Sequence, residues 1–385
     1  MLTQQTDFSA ALPALPLMDA RESSLVFFDI ETTGFKAATS RVYLIGAAFH
    51  TTGGWRITQW LCENLSEEEA LLRTFAAFLR PYKTLAHFNG TRFDIPYLEE
   101  KYASYGIPSP LGELTSIDLY RDLKPLRALL GLTHMNQKSL EAFLGIQRKD
   151  RFDGGALIDV FRTCCETGDE TGRELLLLHN LEDVQGMLRL TDLYAFHQAF
   201  AKLPENAVPE LTVNGDALVL TASHPVPFPI PVNKAVPLEP SNVTRSDSLQ
   251  VVLQLKDQNC TLTVPVIRGT MLHFFEDYRN YYYLPLEDEA IHKSVASFVD
   301  RQFRKPATAR TCYTKKAGRF IPAFACDAKP CFKRSPEDSM QWILLPDHPQ
   351  EKAAFWAAYL REAVLFLKTT PAKSKASFVM LKHPT

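Results

Sequence analysis

The chain has 385 residues, of which 46% are hydrophobic and 22% are charged, and its formal net charge is -2. This length favours two domains, and this composition is typical of globular proteins and excludes a disordered or fibrous chain. No apolar run approaches the roughly 18 residues of a transmembrane helix, and residues 1–24 lack the charged and apolar regions of a secretion signal. The seven cysteines form no CxxC pair, which favours a reducing compartment. We therefore predict a cytoplasmic protein with no membrane partner.

Strand and helix patterns alternate in the N-terminal half. Residues 1–22 are predicted to form an N-terminal arm or a strap packed on the surface. Short apolar runs predict five strands, at Leu25 to Ile30, Val42 to His50, Trp55 to Leu61, Thr84 to Phe88 and Ser116 to Leu119. A capping box at Ser66 begins a helix that ends at Pro81, and further helices follow up to His197. The order predicts an α/β domain over residues 23–203, with a mixed five-stranded sheet flanked by helices.

Two acids lie close together in the first strand. Asp29 and Glu31 are two residues apart, so both carboxylates project from the same face of the strand. Like charges this close, in an otherwise apolar strand, need a proton or a cation to be tolerated. Hard oxygen ligands with no Cys or His beside them favour Mg²⁺ or Mn²⁺ over zinc. This stretch alone leaves an alternative, in which Asp29 begins a turn and Glu31 caps the next element.

Further candidate residues fall where they can meet this strand. Asp94 lies near the start of the helix that follows the fourth strand, at the edge where open α/β sheets bind ligands. His179 and Asp183 are one turn apart on a helix and share a face. Taken singly, Asp94 could be a helix-dipole partner and His179 a core or surface histidine. Their combination with the two strand acids favours a metal site.

These residues resemble the motifs of the DEDD exonucleases, also called DnaQ-like, which have an RNase H-like fold. The first motif, acid-x-acid on a strand, matches Asp29-Ile30-Glu31, and the second, Asn-x-x-x-Phe/Tyr-Asp, matches Asn89 to Asp94. The third motif ends in Asp183 and carries His179 ahead of it. This third motif combines the spacing of the DEDDy branch with the histidine of the DEDDh branch. The nearest resemblance is to the predicted stand-alone exonucleases of the YprB type.

The resemblance covers about residues 23–200 and implies a 3′→5′ exonuclease acting on single-stranded nucleic acid. Such an enzyme is a hydrolase that uses two divalent cations, Mg²⁺ or Mn²⁺, to hold the attacking and leaving oxygens of the phosphodiester. The expected metal ligands are four carboxylates, those of Asp29, Glu31, Asp94 and Asp183. His179 completes the expected catalytic set, because a histidine can orient or deprotonate the attacking water.

Three neighbouring polar residues are expected to bind the terminal sugar or phosphate, namely Thr32, Thr33 and Asn89. The sequence does not distinguish DNA from RNA, because no contact to the 2′-hydroxyl can be located in it. An alternative function is a non-catalytic module that uses the same fold to bind nucleic acid or a protein. The acid cluster favours the enzyme, since a binding module gains nothing from carboxylates without a counter-charge.

The composition changes after residue 203. Eight prolines between residues 204 and 240 exclude a long helix and predict a linker or an edge-strand region. Residues 241–385 are predicted to form a smaller β-rich (α+β) domain. Between Arg301 and Arg334, ten Lys or Arg residues accompany a single acid, Asp327, with aromatic residues among them. This pattern is typical of nucleic-acid binding, although a solvated basic face over an aromatic core is equally expected.

Overall fold

The computed structural model describes residues 1–10, 24–152, 154–201, 209–224, 226–238, 249–324 and 329–370. The chain divides into two compact units. The first unit comprises Met1–Arg127 and Leu132–Gln198, and the second comprises Ala128–Gly131 and Ala199–Thr385.

A six-stranded mixed sheet forms the centre of the first unit. Its strands are β1 (Leu2–Phe8), β2 (Leu25–Thr32), β3 (Val42–Thr51), β4 (Gly54–Leu61), β5 (Thr84–His87) and β6 (Thr115–Asp118). Their order across the sheet is β1-β4-β3-β2-β5-β6. The first four strands pair antiparallel, whereas β5 runs parallel to both β2 and β6. The predicted mixed sheet is confirmed, with six strands instead of five.

The additional strand, β1, differs from the predicted N-terminal arm. It pairs antiparallel with β4 over its whole length, and the amino group of Met1 lies 2.8 Å from Glu63 and 2.6 Å from Glu67. The sequence did not predict this strand because the run Thr3–Asp7 is polar and mostly exposed, as edge strands often are. The rest of the predicted arm includes residues 11–22, which lie outside the described residues.

Helices flank this sheet. They are α1 (Glu68–Leu79), α2 (Asp94–Ser104), α3 (Leu119–Leu123), α5 (Gln137–Phe143), α6 (Gly154–Thr167) and α7 (Glu170–Leu190), while α4 (Arg127–Leu130) and α8 (Tyr194–Ala201) contain residues of the second unit. The predicted start of α1 is corrected from Ser66 to Glu68, because Asn64 caps a short 3-10 turn ahead of the helix. Among the helices of the described residues, none combines the length and hydropathy needed to cross a membrane. The cytoplasmic location stays a prediction.

The central position of β2 decides where the candidate site forms. This strand lies between antiparallel β3 and parallel β5, and its apolar residues pack on α1, with the rings of Phe28 and Phe75 5.7 Å apart. The carboxyl ends of β2 and β5 lie at the same edge of the sheet because these strands are parallel. Asp29 and Glu31 are near that end of β2, and α2 follows β5 after a short turn.

The second unit is rich in antiparallel strands, as predicted. Its strands are β7 (Glu210–Asn214), β8 (Ala217–Ser223), β9 (Val232–Pro237), β10 (Gln250–Lys256), β11 (Asn259–Pro265), β12 (Ile267–Phe274), β13 (Tyr281–Leu284), β14 (Glu289–His292), β15 (Lys305–Pro306), β16 (Tyr313–Pro322), β17 (Cys331–Phe332) and β18 (Trp342–Leu344). They form three sheets, ordered β7-β8-β11-β10-β9, β12-β16-β18-β17 and β14-β13-β15. Helix α9 (Ala353–Thr369) lies near the end of the described part of this unit. Strands β7 to β9 occupy the region predicted as a linker or edge strands.

Candidate active site

A glycine and two side-chain amides allow α7 to pack closely against the sheet. Gly46 on β3 lies opposite Asp29 in the strand register, and a Cβ at this glycine would lie 2.0 Å from Oδ1 of Asn180. Nδ2 of Asn180 donates to Oδ2 of Asp29 at 3.1 Å. Nε2 of Gln59 in turn donates to Oδ1 of Asn180 at 3.0 Å. The absence of a side chain at residue 46 therefore allows α7 to place the third motif beside the acids of β2.

Two acids and one histidine converge at this point. One ligand atom from each of Glu31, His179 and Asp183 lies within 4.8 Å of the other two. Nε2 of His179 is 3.5 Å from Oε1 of Glu31 and 3.2 Å from Oδ2 of Asp183. The histidine is buried, whereas both acids are half-buried. Two carboxylates and an imidazole at this spacing are able to bind a divalent cation.

The other two predicted ligands, Asp29 and Asp94, interact electrostatically with this cluster. Burial, followed by the charges of Asp183 and Glu31, holds the pKa of Asp29 well above its usual range. Burial and the charges of Asp183 and Asp94 likewise raise the pKa of Glu31 well above its usual range. Burial raises the pKa of Asp94 to about 7. Carboxylates in such a group are stabilised by protons or by a divalent cation among them.

The turn after β5 positions Asp94. Asn89 adopts a left-handed conformation with φ 61°, which asparagine tolerates better than most residues. The N–H of Asn89 donates to Oδ1 of Asp118 at 2.9 Å, and this acid also caps α3. Hydrogen bonding to the backbone of Asp94 itself and of Ile30 partly offsets the burial that raises the pKa of Asp94. The first residue of α2 is thereby joined to β2.

The three predicted substrate-binding residues flank these carboxylates but are engaged within the chain. The hydroxyl of Thr32 donates to the carbonyl oxygen of Gly34 at 3.0 Å. The hydroxyl oxygen of Thr33 accepts from the N–H of Arg41 at 2.9 Å. Both threonines therefore stabilise the turn after β2, and Asn89 shapes the turn after β5. The binding of a sugar or phosphate by these residues stays a prediction.

Asp150, which contacts the histidine, was not among the residues predicted from the sequence. Its Oδ2 lies 2.6 Å from Nδ1 of His179, and its side chain is fully buried. Burial alone would raise the pKa of Asp150, but hydrogen bonds from the Phe152 N–H and His179, with the charge of Lys138, hold this pKa below its usual range. No motif marks an acid 29 residues before the histidine, so the sequence contains no local signal for it.

Arg148, which contacts Asp183, was not predicted from the sequence either. Nη1 of Arg148 lies 2.6 Å from Oδ1 of Asp183, and its Nη2 donates to Oε1 of Glu141 at 2.7 Å. All three side chains are largely withdrawn from solvent. A Cβ at Gly186 of α7 would lie 1.9 Å from the Glu141 carboxylate. A glycine inside a helical pattern is the sequence signal that could have indicated this close approach.

Residues 26–195 match the model of the RNase_H superfamily. The first unit therefore has an RNase H-like fold, as predicted, and the match ends at residue 195. No curated protein resembles the chain in sequence at a significant level.

Several solved structures share low similarity with the chain. The family B DNA polymerase from the archaeon Pyrobaculum calidifontis has 15% identity and a TM-score of 0.38, over 68% of this chain and 36% of the polymerase. The metal-free E. coli ExoI–ssDNA complex has 15% identity and a TM-score of 0.29, over 54% of this chain and 52% of that chain. Its zinc-bound form has 17% identity and a TM-score of 0.28 over 54% of this chain and 53% of that chain. The chain thus spans little more than a third of the polymerase and about half of the exonuclease.

Proposed function

We propose that the RNase H-like domain is a metal-dependent 3′→5′ exonuclease that hydrolyses phosphodiester bonds of single-stranded nucleic acid. The observation that supports this most directly is the convergence of Glu31, His179 and Asp183 within 4.8 Å. Burial and mutual repulsion raise the pKa values of Asp29, Glu31 and Asp94 around them. Such a group destabilises the metal-free fold, which is the usual sign of a site that serves a ligand or a reaction.

The donor set fits hard divalent cations. All four acids offer oxygen atoms, so the expected ligands of two Mg²⁺ or Mn²⁺ ions are Asp29, Glu31, Asp94 and Asp183. When bound, the ions supply an activated water and stabilise charge on the phosphoryl oxygens. Nε2 of His179 on α7 faces the carboxylates of Glu31 and Asp183. There it can orient a water molecule or take a proton from it. The Asn180 amide orients the Asp29 carboxylate without neutralising it.

The contact between Arg148 and Asp183 favours the alternative, a non-catalytic module. An arginine 2.6 Å from Oδ1 of this acid already neutralises one of the four carboxylates. The exonuclease is the better-supported function because Oδ2 of Asp183 still faces the cluster, 3.2 Å from His179. Binding of an oligonucleotide without any shortening in Mn²⁺ would favour the module instead.

The decisive experiment compares Mn²⁺ with EDTA on matched 5′-labelled DNA and RNA strands. A ladder of products that keep the label would establish 3′→5′ polarity, and the two strands would establish the preferred polymer. We expect Asp29→Ala to lower the rate roughly 10³-fold or more, because the cation that stabilises the charge developing in the transition state loses a ligand. The matched control is Asp159→Ala, since this acid is 83% exposed. Unchanged activity of Asp29→Ala would remove the catalytic assignment.

We further propose that residues 295–305 of the second unit bind the single-stranded partner. Phe298 is 90% exposed and Phe303 45% exposed, and the neighbouring Arg301 and Lys305 are exposed. Exposed aromatic rings beside cations can stack on bases while the cations neutralise phosphates. This combination supports the predicted nucleic-acid partner over a purely structural role for these aromatic residues.

Salt dependence of oligonucleotide binding tests this surface in the full chain. Phe298→Ala should weaken binding roughly tenfold without changing the salt slope, because a stacking contact is lost. Arg301→Ala should reduce the slope of log K against log salt concentration by about 0.7, the value for one phosphate contact. The control is Leu286→Ala, an apolar residue that is 77% exposed but is followed by Glu287 and Asp288. Equal effects of all three variants would argue against the surface.

A further inference from the structure

Both carboxylate oxygens of Asp150 have defined partners. Oδ1 accepts from the N–H of Phe152 at 2.9 Å, and Oδ2 lies 2.6 Å from Nδ1 of His179. An ionised carboxylate can only accept hydrogen bonds, so the contact requires a hydrogen on Nδ1. The other ring nitrogen, Nε2, is then the atom that faces Glu31 and Asp183.

The segment that carries Asp150 is anchored on the same helix as the histidine. The carboxylate of Glu182 accepts from the N–H of Lys149 at 2.9 Å and from the N–H of Asp150 at 3.0 Å. Glu182 and His179 are three residues apart on α7, so one rigid element holds both the backbone and the side-chain partner of Asp150. Asp150 therefore cannot move relative to the imidazole ring of His179 without breaking several hydrogen bonds.

We propose that Asp150 is a positioning residue, which fixes the tautomer and the ring orientation of His179 so that Nε2 faces the carboxylates of β2 and α7. This inference rests on the proposed exonuclease function. A histidine that acts on a metal-activated water must present one particular nitrogen, and an outer hydrogen bond is the usual device that selects it. A purely structural pair would join the segment to α7 with no consequence for the chemistry.

The test uses Asp150→Asn in the full chain. An amide can present N–H to Nδ1, which favours the tautomer with hydrogen on Nε2. We expect kcat to fall roughly 10–100-fold, while KM and the affinity for Mn²⁺ are unchanged. The ¹⁵N NMR signals of His179 should report hydrogen on Nδ1 in the wild type and its loss in the variant. The chain has ten histidines, so His179→Gln identifies the signal, and Asp159→Asn is the matched exposed control.

The NMR measurement does not require turnover, so it separates the two proposals. An inactive wild type would refute the exonuclease, whereas a His179 ring in the wild type with hydrogen on Nε2 and none on Nδ1 would refute the positioning role whatever the activity. An active enzyme whose kcat is insensitive to Asp150→Asn would also overturn the role. Because the wild-type tautomer decides on its own, an unstable variant does not weaken the test.

Discussion

The candidate site has two sides. The β2 side carries Asp29, Glu31 and the neighbouring Asp94, the α7 side carries His179 and Asp183, and the two differ in how their charges are compensated. On the β2 side, Asp29 accepts a hydrogen bond from the neutral amide of Asn180, and burial holds its pKa well above the usual range. On the α7 side, Asp183 lies 2.6 Å from Arg148 and His179 lies 2.6 Å from Asp150. Asp29 therefore has a neutral partner in the amide of Asn180, whereas Asp183 on the α7 side has a cationic partner in Arg148.

This difference follows from what each side is expected to do. A protein cation beside Asp29 would compete with a divalent metal, whereas an amide orients the carboxylate and leaves its charge in place. On α7, the arginine engages Oδ1 of Asp183 while Oδ2 faces the cluster. We infer that the α7 side is ordered before a metal binds, and that the β2 side gains most of its stabilisation from the metal.

The largest effect is expected where the α7 side is broken. Arg148→Met leaves Glu141, which is 1% exposed, as a buried charge without its arginine, so we expect a loss of about 3–5 kcal/mol in the free energy of unfolding. Urea denaturation without metal measures this loss. The control, Arg162→Met, breaks a pair whose side chains are 62% and 83% exposed and should cost at most about 1 kcal/mol.

A second variant decides whether the buried charge is the cause. Arg148→Met combined with Glu141→Met also removes the buried charge of Glu141 and should recover the part of the loss that this charge causes, since apolar side chains of similar volume often replace a buried ion pair without loss. Asp183, which is 17% exposed, stays without its arginine in both variants. A double variant no more stable than the single one would show that packing, and not charge, orders this side.

The same contrast explains what the sequence could predict. Alternation along a strand placed Asp29 and Glu31 on one face, and motif spacing indicated Asp94 and Asp183, because these features are local. Asp150 and Arg148 belong to no local pattern, and their positions depend on how α5 and the following segment approach α7. That approach is set by tertiary packing, for instance by the glycine at 186 that makes room for a carboxylate.

The fold shows the same division between local and tertiary information. Apolar runs predicted β2 to β6 well, since their burial leaves a periodic pattern. The polar edge strand β1 was missed because its stability comes from pairing with β4 and not from an apolar face. In the second unit, the strands between Glu210 and Pro237 lie in a proline-containing region, which favoured a linker in the sequence.

An intermediate effect of opposite sign is expected on the β2 side. Because burial raises the folded-state pKa of Asp94 from 3.8 to about 7, the folded state binds more protons than the unfolded state between these pH values. Stability of the metal-free protein should therefore fall as pH rises from about 4 to about 7. Asp94→Asn should be more stable than wild type by roughly 2 kcal/mol at pH 8, about half of the full shift, because an amide cannot accept both backbone hydrogen bonds.

Urea denaturation of both proteins in EDTA across this pH range measures the difference. The gain of Asp94→Asn should vanish below pH 4, where both the folded and the unfolded wild type are protonated. Saturating Mn²⁺ should reverse the order at pH 8 by stabilising only the wild type. A gain independent of pH would mean that the carboxylate charge is not the destabilising factor.

The smallest effect is expected at the rim of the α7 side. Nζ of Lys138 lies 3.6 Å from Oδ2 of Asp150 and donates to the carbonyl oxygen of Phe152 at 2.6 Å, but its side chain is 46% exposed. Solvent screens such a pair, so Lys138→Met should cost at most about 1 kcal/mol and leave kcat within about twofold of wild type. The matched control is Lys149→Met, at an exposed position in the neighbouring segment. A tenfold loss of kcat with normal stability would mean that the lysine contacts the substrate, and the α7 side would then depend on an exposed cation as well as on its buried pairs.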